Sequence, residues 1–231
     1  MLGISAITET ESRPARSIAS GVVRASATGL AGVFEMLAMP MAFERNEEIY
    51  GEGEAAEYLY EVVRGAVRTT KMLADGRRQI GAFYRAGSFF GLEASDDHAF
   101  SAEAICNSTI RMVKRSSIVA MVARDTSLAA ELWAATASDL RIAQEHMLLL
   151  GRKTAEERVA SFLLSLAGEP ANGQIVVELP MSRQDIADYL GLTIETVSRT
   201  FTRLEDNAAI ELPSSRRVVM RSRSGLQRLN G

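Results

Sequence analysis

The chain has 231 residues, 47% hydrophobic and 24% charged, with a formal net charge of −3; it is long enough for one large or two modest globular domains and too rich in apolar residues to be disordered. Cys106 is the single cysteine, which excludes an internal disulfide framework and a cysteine-held zinc or iron–sulfur centre. No apolar run approaches the roughly 20 residues of a membrane helix and no signal-peptide core opens the chain, so a reducing cytoplasm is the expected setting.

Residues 1–28 are rich in Ser, Thr, Ala and Gly with scattered charge, a composition that predicts a weakly ordered arm. A short helix should follow, carrying Leu30, Val33, Phe34 and Leu37 and closed by Pro40. From Met41 to about Arg115 the texture changes to short runs rich in β-branched and aromatic residues: Tyr58 to Val63, Ala66 to Thr70, Arg78 to Tyr84, Thr109 to Val113. Turn signals separate them, and Asp75-Gly76 is a strong hairpin cue. Many short strands with glycine-rich turns predict a small double-sheet roll over residues 29–117.

Helical character returns over 118–152. Trp133, Thr136, Leu140, Ala143, Met147 and Leu150 alternate at three- and four-residue spacing, a heptad-like seam on a helix too long to be stable alone. Part of it can pack on the roll. A straight seam of this length more often meets its twin, which predicts a parallel homodimer.

The remainder, 153–231, carries 11 Lys and Arg against 10 Asp and Glu if Arg152 is counted with it, so charge alone does not announce nucleic acid. The arrangement does. After an amphipathic helix from Glu156 to Leu166 and an expected strand pair at Gln174 to Leu179, Ser182 stands as an N-cap before Ile186, Ala187 and Leu190. Gly191 breaks that helix, Thr193 caps another, and Val197, Phe201 and Leu204 form its apolar stripe. Two short helices around a glycine turn read as a helix-turn-helix. The second shows Glu195, Ser198, Arg199 and Arg203 on its solvent side. Arg can make a bidentate contact with guanine, Glu can accept from cytosine, and Ser can reach either kind of base. An ordinary helical hairpin with a solvated charged face is the plainer alternative, but the two caps, the glycine turn and the base-reading face agree. Ile210 to Leu212 and Val218 to Met220 then alternate around a turn, giving a wing in which Ser214, Ser215 and Arg216 can touch phosphate. An exposed basic hairpin tip is the competing reading for those three.

A β-roll, a long dimerisation helix and a C-terminal winged helix, an α+β architecture in that order, resemble the CRP/FNR family of bacterial transcription regulators. The likeness runs from about Phe34 to the end of the chain. Its most specific part is Glu195-Thr-Val-Ser198-Arg199, which looks like the Glu-x-x-Ser-Arg recognition signature of the FNR-like branch, FixK regulators of microaerobic and nitrogen-fixation genes included. The resemblance implies that Glu195, Ser198 and Arg199 read a TTGA-type half-site of a palindrome. It also implies that Ser182, Arg183, Thr193 and Thr196 touch phosphate or flank the bases. Surface loops would meet RNA polymerase, the candidates being Glu169 to Gly173 and Asp75 to Arg78.

The departures from the family pattern are informative. Members that bind cyclic nucleotides carry a Gly-Glu pair and then Arg-Ser or Arg-Thr, where this chain has Gly91-Leu92-Glu93 and Phe100-Ser101-Ala102. Phe100 stands where a cation should neutralise the phosphate, and a buried phosphate without its cation is costly. One cysteine cannot hold the iron–sulfur cluster of oxygen sensors, and His98 and His146, the only histidines, read as structural or solvated rather than as haem ligands. The expectation is an effector-independent activator with no cofactor and no enzymatic activity. The alternative is a small-molecule-responsive regulator with an unidentified ligand in the roll.

Overall fold

The computed structural model describes residues 29–93, 95–170 and 174–230, so the expected N-terminal arm lies outside the described residues, as do three residues of the 169–173 loop. Strands this short cannot each bury two faces, so they pair into sheets that cover one another. Helix α1 (Gly29–Leu37) precedes β1 (Met41–Phe43), β2 (Glu48–Tyr50), β3 (Tyr58–Arg64), β4 (Ala66–Met72), β5 (Arg78–Arg85), β6 (Phe89–Phe90), β7 (Ser101–Ala104) and β8 (Ser108–Lys114). These strands form two antiparallel sheets of four, in the orders β1-β8-β3-β6 and β2-β7-β4-β5. Between them lie Tyr50, Tyr60, Val62, Val67, Phe90, Ala102 and Ile110. The double-sheet roll expected from the turn spacing is present.

Three expectations need correction. The helical stretch from 118 to 152 is two helices, α2 (Arg115–Val122) and α3 (Thr126–Arg152). Asp125 sits in extended conformation between them, and its carboxylate accepts the Ser127 N–H and so starts α3 afresh. Leu37 does not join the buried stripe of α1; Leu30, Val33 and Phe34 do, whereas Leu37 ends the helix and faces solvent. And 174–179 holds no strand pair but one strand, β9 (Ile175–Glu178), whose partner is β11, far along the chain.

Beyond α3 come α4 (Ala155–Leu166), β9, α5 (Arg183–Leu190), α6 (Ile194–Asp206), β10 (Ile210–Ser214), β11 (Arg217–Met220) and α7 (Arg223–Asn230). The sheet order β10-β11-β9 is a wing beside the two helices. Helix α7 is not announced by the apolar pattern of its residues; it packs on α4 and closes the domain with Leu226. One apolar cluster runs from Ala66 and Ile105 at the end of the roll, through Leu149 of α3, into Val159, Phe162, Leu163, Ile186, Leu190, Val197, Phe201 and Leu204. Roll, helix and winged helix therefore share a core.

Candidate nucleic-acid interface

Helix α5 begins with a capping box: the Ser182 hydroxyl accepts the Asp185 N–H, and the Asp185 carboxylate accepts the Ser182 N–H. It ends at Gly191, whose φ of 60° is left-handed. There a side chain would press on Leu150 and Arg158 as well as strain the backbone. The next residues open α6, where the Thr193 hydroxyl accepts the Thr196 N–H at 3.2 Å. Val197, Thr200, Phe201 and Leu204 turn inward at helical spacing, which leaves the opposite face to solvent.

On that outer face Glu195, Ser198 and Arg199 stand together, all three exposed, with Arg203 exposed one turn on. Glu195, Ser198 and Arg199 share one open concavity with Ile194. The Glu195 carboxyl is held below the usual carboxylate range by its own backbone N–H and by the Thr193 hydroxyl, so it is an acceptor at neutral pH. Arg199 makes a long contact, 3.4 Å from Nε to the Glu195 carbonyl, and its side chain is exposed to solvent. The face thus offers an acceptor, a donor–acceptor hydroxyl and a bidentate donor within one and a half helical turns. Ile194, 37% exposed, was missed from the sequence. By spacing it continues the Val197–Phe201–Leu204 stripe and so reads as core; only the structure shows it open to solvent at the first turn of α6, where it can contact a thymine methyl.

The residues expected around this face are placed less uniformly. Thr193 and Thr196 bond to each other at the helix start, and Ser182 is engaged in its cap. Arg183 lies flat on Phe201, 3.4 Å from the guanidinium carbon to the ring centre, and burial lowers its pKa to about 10, so it stays charged at neutral pH. Arg203 sits 3.5 Å from Glu156 of α4. At the wing tip Ser214, Ser215 and Arg216 are exposed, and the Arg216 guanidinium donates back to the Pro180 carbonyl.

The seam of α3 divides. Trp133, Leu140 and Met147, seven residues apart, are 76%, 59% and 66% exposed, with Thr136 and Ala143 exposed between them. Leu150, expected at the end of that seam, instead turns into its own chain and packs against the winged-helix core beside Gly191.

Between β5 and α3 lies a space of about 1050 Å³ lined by Gly81, Phe83, Glu93, Phe100, Asp139 and His146, among others. The Phe100 ring rests on Gly81, where an added Cβ would come within 3.0 Å of it. Glu93 turns toward His98 Nδ1 at 3.4 Å and Arg115 at 3.7 Å. Asp139 faces the same space, and burial, helped by the Glu93 charge, raises its pKa from 3.8 to about 6. Among the described residues no group of three or more His, Cys, Asp or Glu side chains could hold a metal ion, and no helix is long and apolar enough to cross a membrane.

Comparison with known proteins places these features. The profile described as "Crp-like helix-turn-helix domain" matches residues 157–229, and that described as "Cyclic nucleotide-binding domain" matches residues 40–125. The chain is 52% identical to the nitrogen fixation regulation protein FixK of Azorhizobium caulinodans, over 92% of this chain and 88% of that protein. It is 31% identical to the transcriptional activator protein FnrL of Cereibacter sphaeroides, over 78% and 75%. The structure of FixK2 from Bradyrhizobium japonicum superposes with a TM-score of 0.79 at 49% identity, covering 84% of this chain and 98% of that one.

Proposed function

The chain belongs to the CRP/FNR family of transcription regulators, in its FixK-like branch, and from that membership we propose that it is a homodimeric activator that reads a TTGA-type palindrome without a bound effector. The observation that carries the reading is the outer face of α6, where Glu195, Ser198 and Arg199 line one open concavity on a helix whose other side is buried. Arg199 takes guanine, Glu195 the exocyclic amine of a cytosine, Ser198 an adjacent base and Ile194 a thymine methyl. The wing tip with Ser214, Ser215 and Arg216 supplies contacts to the backbone, joined by Arg183 and Arg203 when phosphate displaces their present partners.

Two-fold DNA sites call for two-fold proteins, and the exposed row of Trp133, Leu140 and Met147 is what a second copy would cover. Effector independence is supported by the roll. With Phe100 on Gly81, Glu93 turned to His98 and Arg115, and Asp139 across the space, the site offers carboxylates and an aromatic ring to an anion. A cyclic phosphate has no cation among the residues lining that space. By likeness to the FixK proteins, the genes controlled are those of nitrogen fixation or microaerobic life, in the cytoplasm, through contact with RNA polymerase.

The test is binding of the purified protein, without ligand and at fixed salt, to a palindromic TTGA-type duplex and to a scrambled one. Nanomolar, sequence-selective binding as a dimer, unchanged by added cyclic nucleotide, is expected. Equal affinity for both duplexes that became selective only with a small molecule would favour the ligand-responsive reading.

A further inference from the structure

Helix α5 is tied to the roll by a chain of alternating charges. Asp185 is 3% exposed and divides its two oxygens. One closes the α5 cap on Ser182. The other accepts Arg68 of β4 at 3.0 Å and Arg78 of β5 at 2.7 Å. Arg78 goes on to Asp188, one turn along α5, with Nε and Nη2 at 2.8 and 2.7 Å. Arg68, itself buried, is held from behind by Glu103 at 2.6 Å and by Asn46. Burial by itself would raise the Asp185 carboxyl; the Ser182 donors and the two arginines outweigh it, so the group sits below the usual carboxylate range and remains an anion.

The same hairpin touches α5 again through Phe83, whose ring lies 5.2 Å from Tyr189. From α3, the His146 ring stacks on Tyr189 at 4.0 Å and bonds the Tyr189 carbonyl at 2.7 Å. From α4, Arg158 donates to the carbonyl of Leu190 and to that of Leu150. These polar and aromatic ties to α5 come from the roll, from α3 and from α4, the helix that follows it. Hydrogen-bonded ion pairs at these distances are directional, so they constrain orientation where apolar packing tolerates sliding.

We propose that Arg68 and Arg78 are positioning residues for DNA reading. Acting through Asp185 and Asp188, they hold the helix-turn-helix at a set angle to α3 and so fix the distance between the two recognition helices of a dimer. The proposal rests on the dimeric DNA-reading function argued above. It assigns the roll a task that needs no ligand: the roll is the rigid bracket that selects half-site spacing.

The experiment compares wild type, Arg78→Gln, Asp188→Asn and Arg78→Lys, which keeps a cation between Asp185 and Asp188. Each is titrated against palindromes whose half-sites are moved together or apart by one and two base pairs. Arg78 is at the rim and Asp188 is outside the cap, so these variants leave the α5 start and the core intact. Wild type should prefer one spacing; half-sites lie about one helical turn apart in dimeric readers of this kind. Arg78→Gln and Asp188→Asn should lose about tenfold in affinity at that spacing and bind the shifted palindromes nearly as well, while the base preference inside each half-site stays unchanged. Arg78→Lys, which retains the positive charge between the two carboxylates, should keep most of the wild-type preference for that spacing. Arg78→Gln and Asp188→Asn proteins that kept the wild-type spacing profile, or that weakened on every duplex in proportion to a lower Tm, would overturn the proposal. A wild type indifferent to the palindrome would overturn the DNA-reading function beneath it, a separate result.

Discussion

The roll and the outer face of α6 treat their charged side chains in opposite ways. In the roll Glu61 and Arg111 pair at 3.1 Å in the interior, Glu93 faces His98 and Arg115, and Arg68 and Arg78 are taken up by α5. On α6 Glu195, Ser198 and Arg199 are left facing solvent. Groups already paired inside a protein lose by taking a new partner, whereas exposed groups lose little more than their hydration. The difference supports the proposal that the roll is framework and that the outer face of α6 is where DNA is read.

That contrast breaks most visibly if the buried side of α6 proves dispensable. Phe201→Ala removes a ring that is 1% exposed, together with the platform under Arg183. It should cost about 3–5 kcal/mol of stability, read from denaturant unfolding. A loss below about 1 kcal/mol would mean that the shared core is not what holds the recognition helix. On the outer side the pattern should invert. Arg199→Ala should leave stability within about 0.5 kcal/mol of wild type yet weaken binding by about 1–3 kcal/mol per half-site and erase the preference for guanine; competition with single-base variants of the duplex decides it.

A third change sharpens the contrast from the roll side. The native chain holds the Asp139 proton more tightly than the unfolded chain, with the pKa raised from 3.8 to about 6. Stability should therefore fall as pH rises from about 4 to about 6 and stay level above. Asp139→Asn should flatten that slope and gain up to about 3 kcal/mol at pH 7, and thermal unfolding across this pH range would show it. A slope identical in the two proteins would place Asp139 in water. The smallest effect is expected at the wing tip. Arg216→Ala should weaken all duplexes alike and reduce the salt dependence by about one unit for each phosphate it no longer neutralises; a changed base preference would make the wing a reader of sequence.

Much of this was legible in the chain itself. Local signals are strong where a residue type is forced by backbone geometry. Gly191 at a left-handed turn, Ser182 and Thr193 as caps and Asp75-Gly76 between two strands were recognised because few residues can do those jobs. The outward triad on α6 followed from helical period alone. The pairing of β9 with β11 was not legible, since strand partners far apart in sequence leave no local mark. Nor was the break at Asp125, where one cap outweighs a continuous apolar period.

By itself the sequence determined most of the strands and helices, the caps and glycine turn around α5 and α6, and which face of α6 is buried, because periodicity and capping act within a few residues. Only the tertiary structure decided where the other charges go. It laid Arg183 on Phe201, brought Arg68 and Arg78 to Asp185 across more than a hundred residues, turned Leu150 inward and set Phe100 on Gly81. Such contacts depend on how whole elements pack, and a buried charge accepts whichever partner that packing brings within reach.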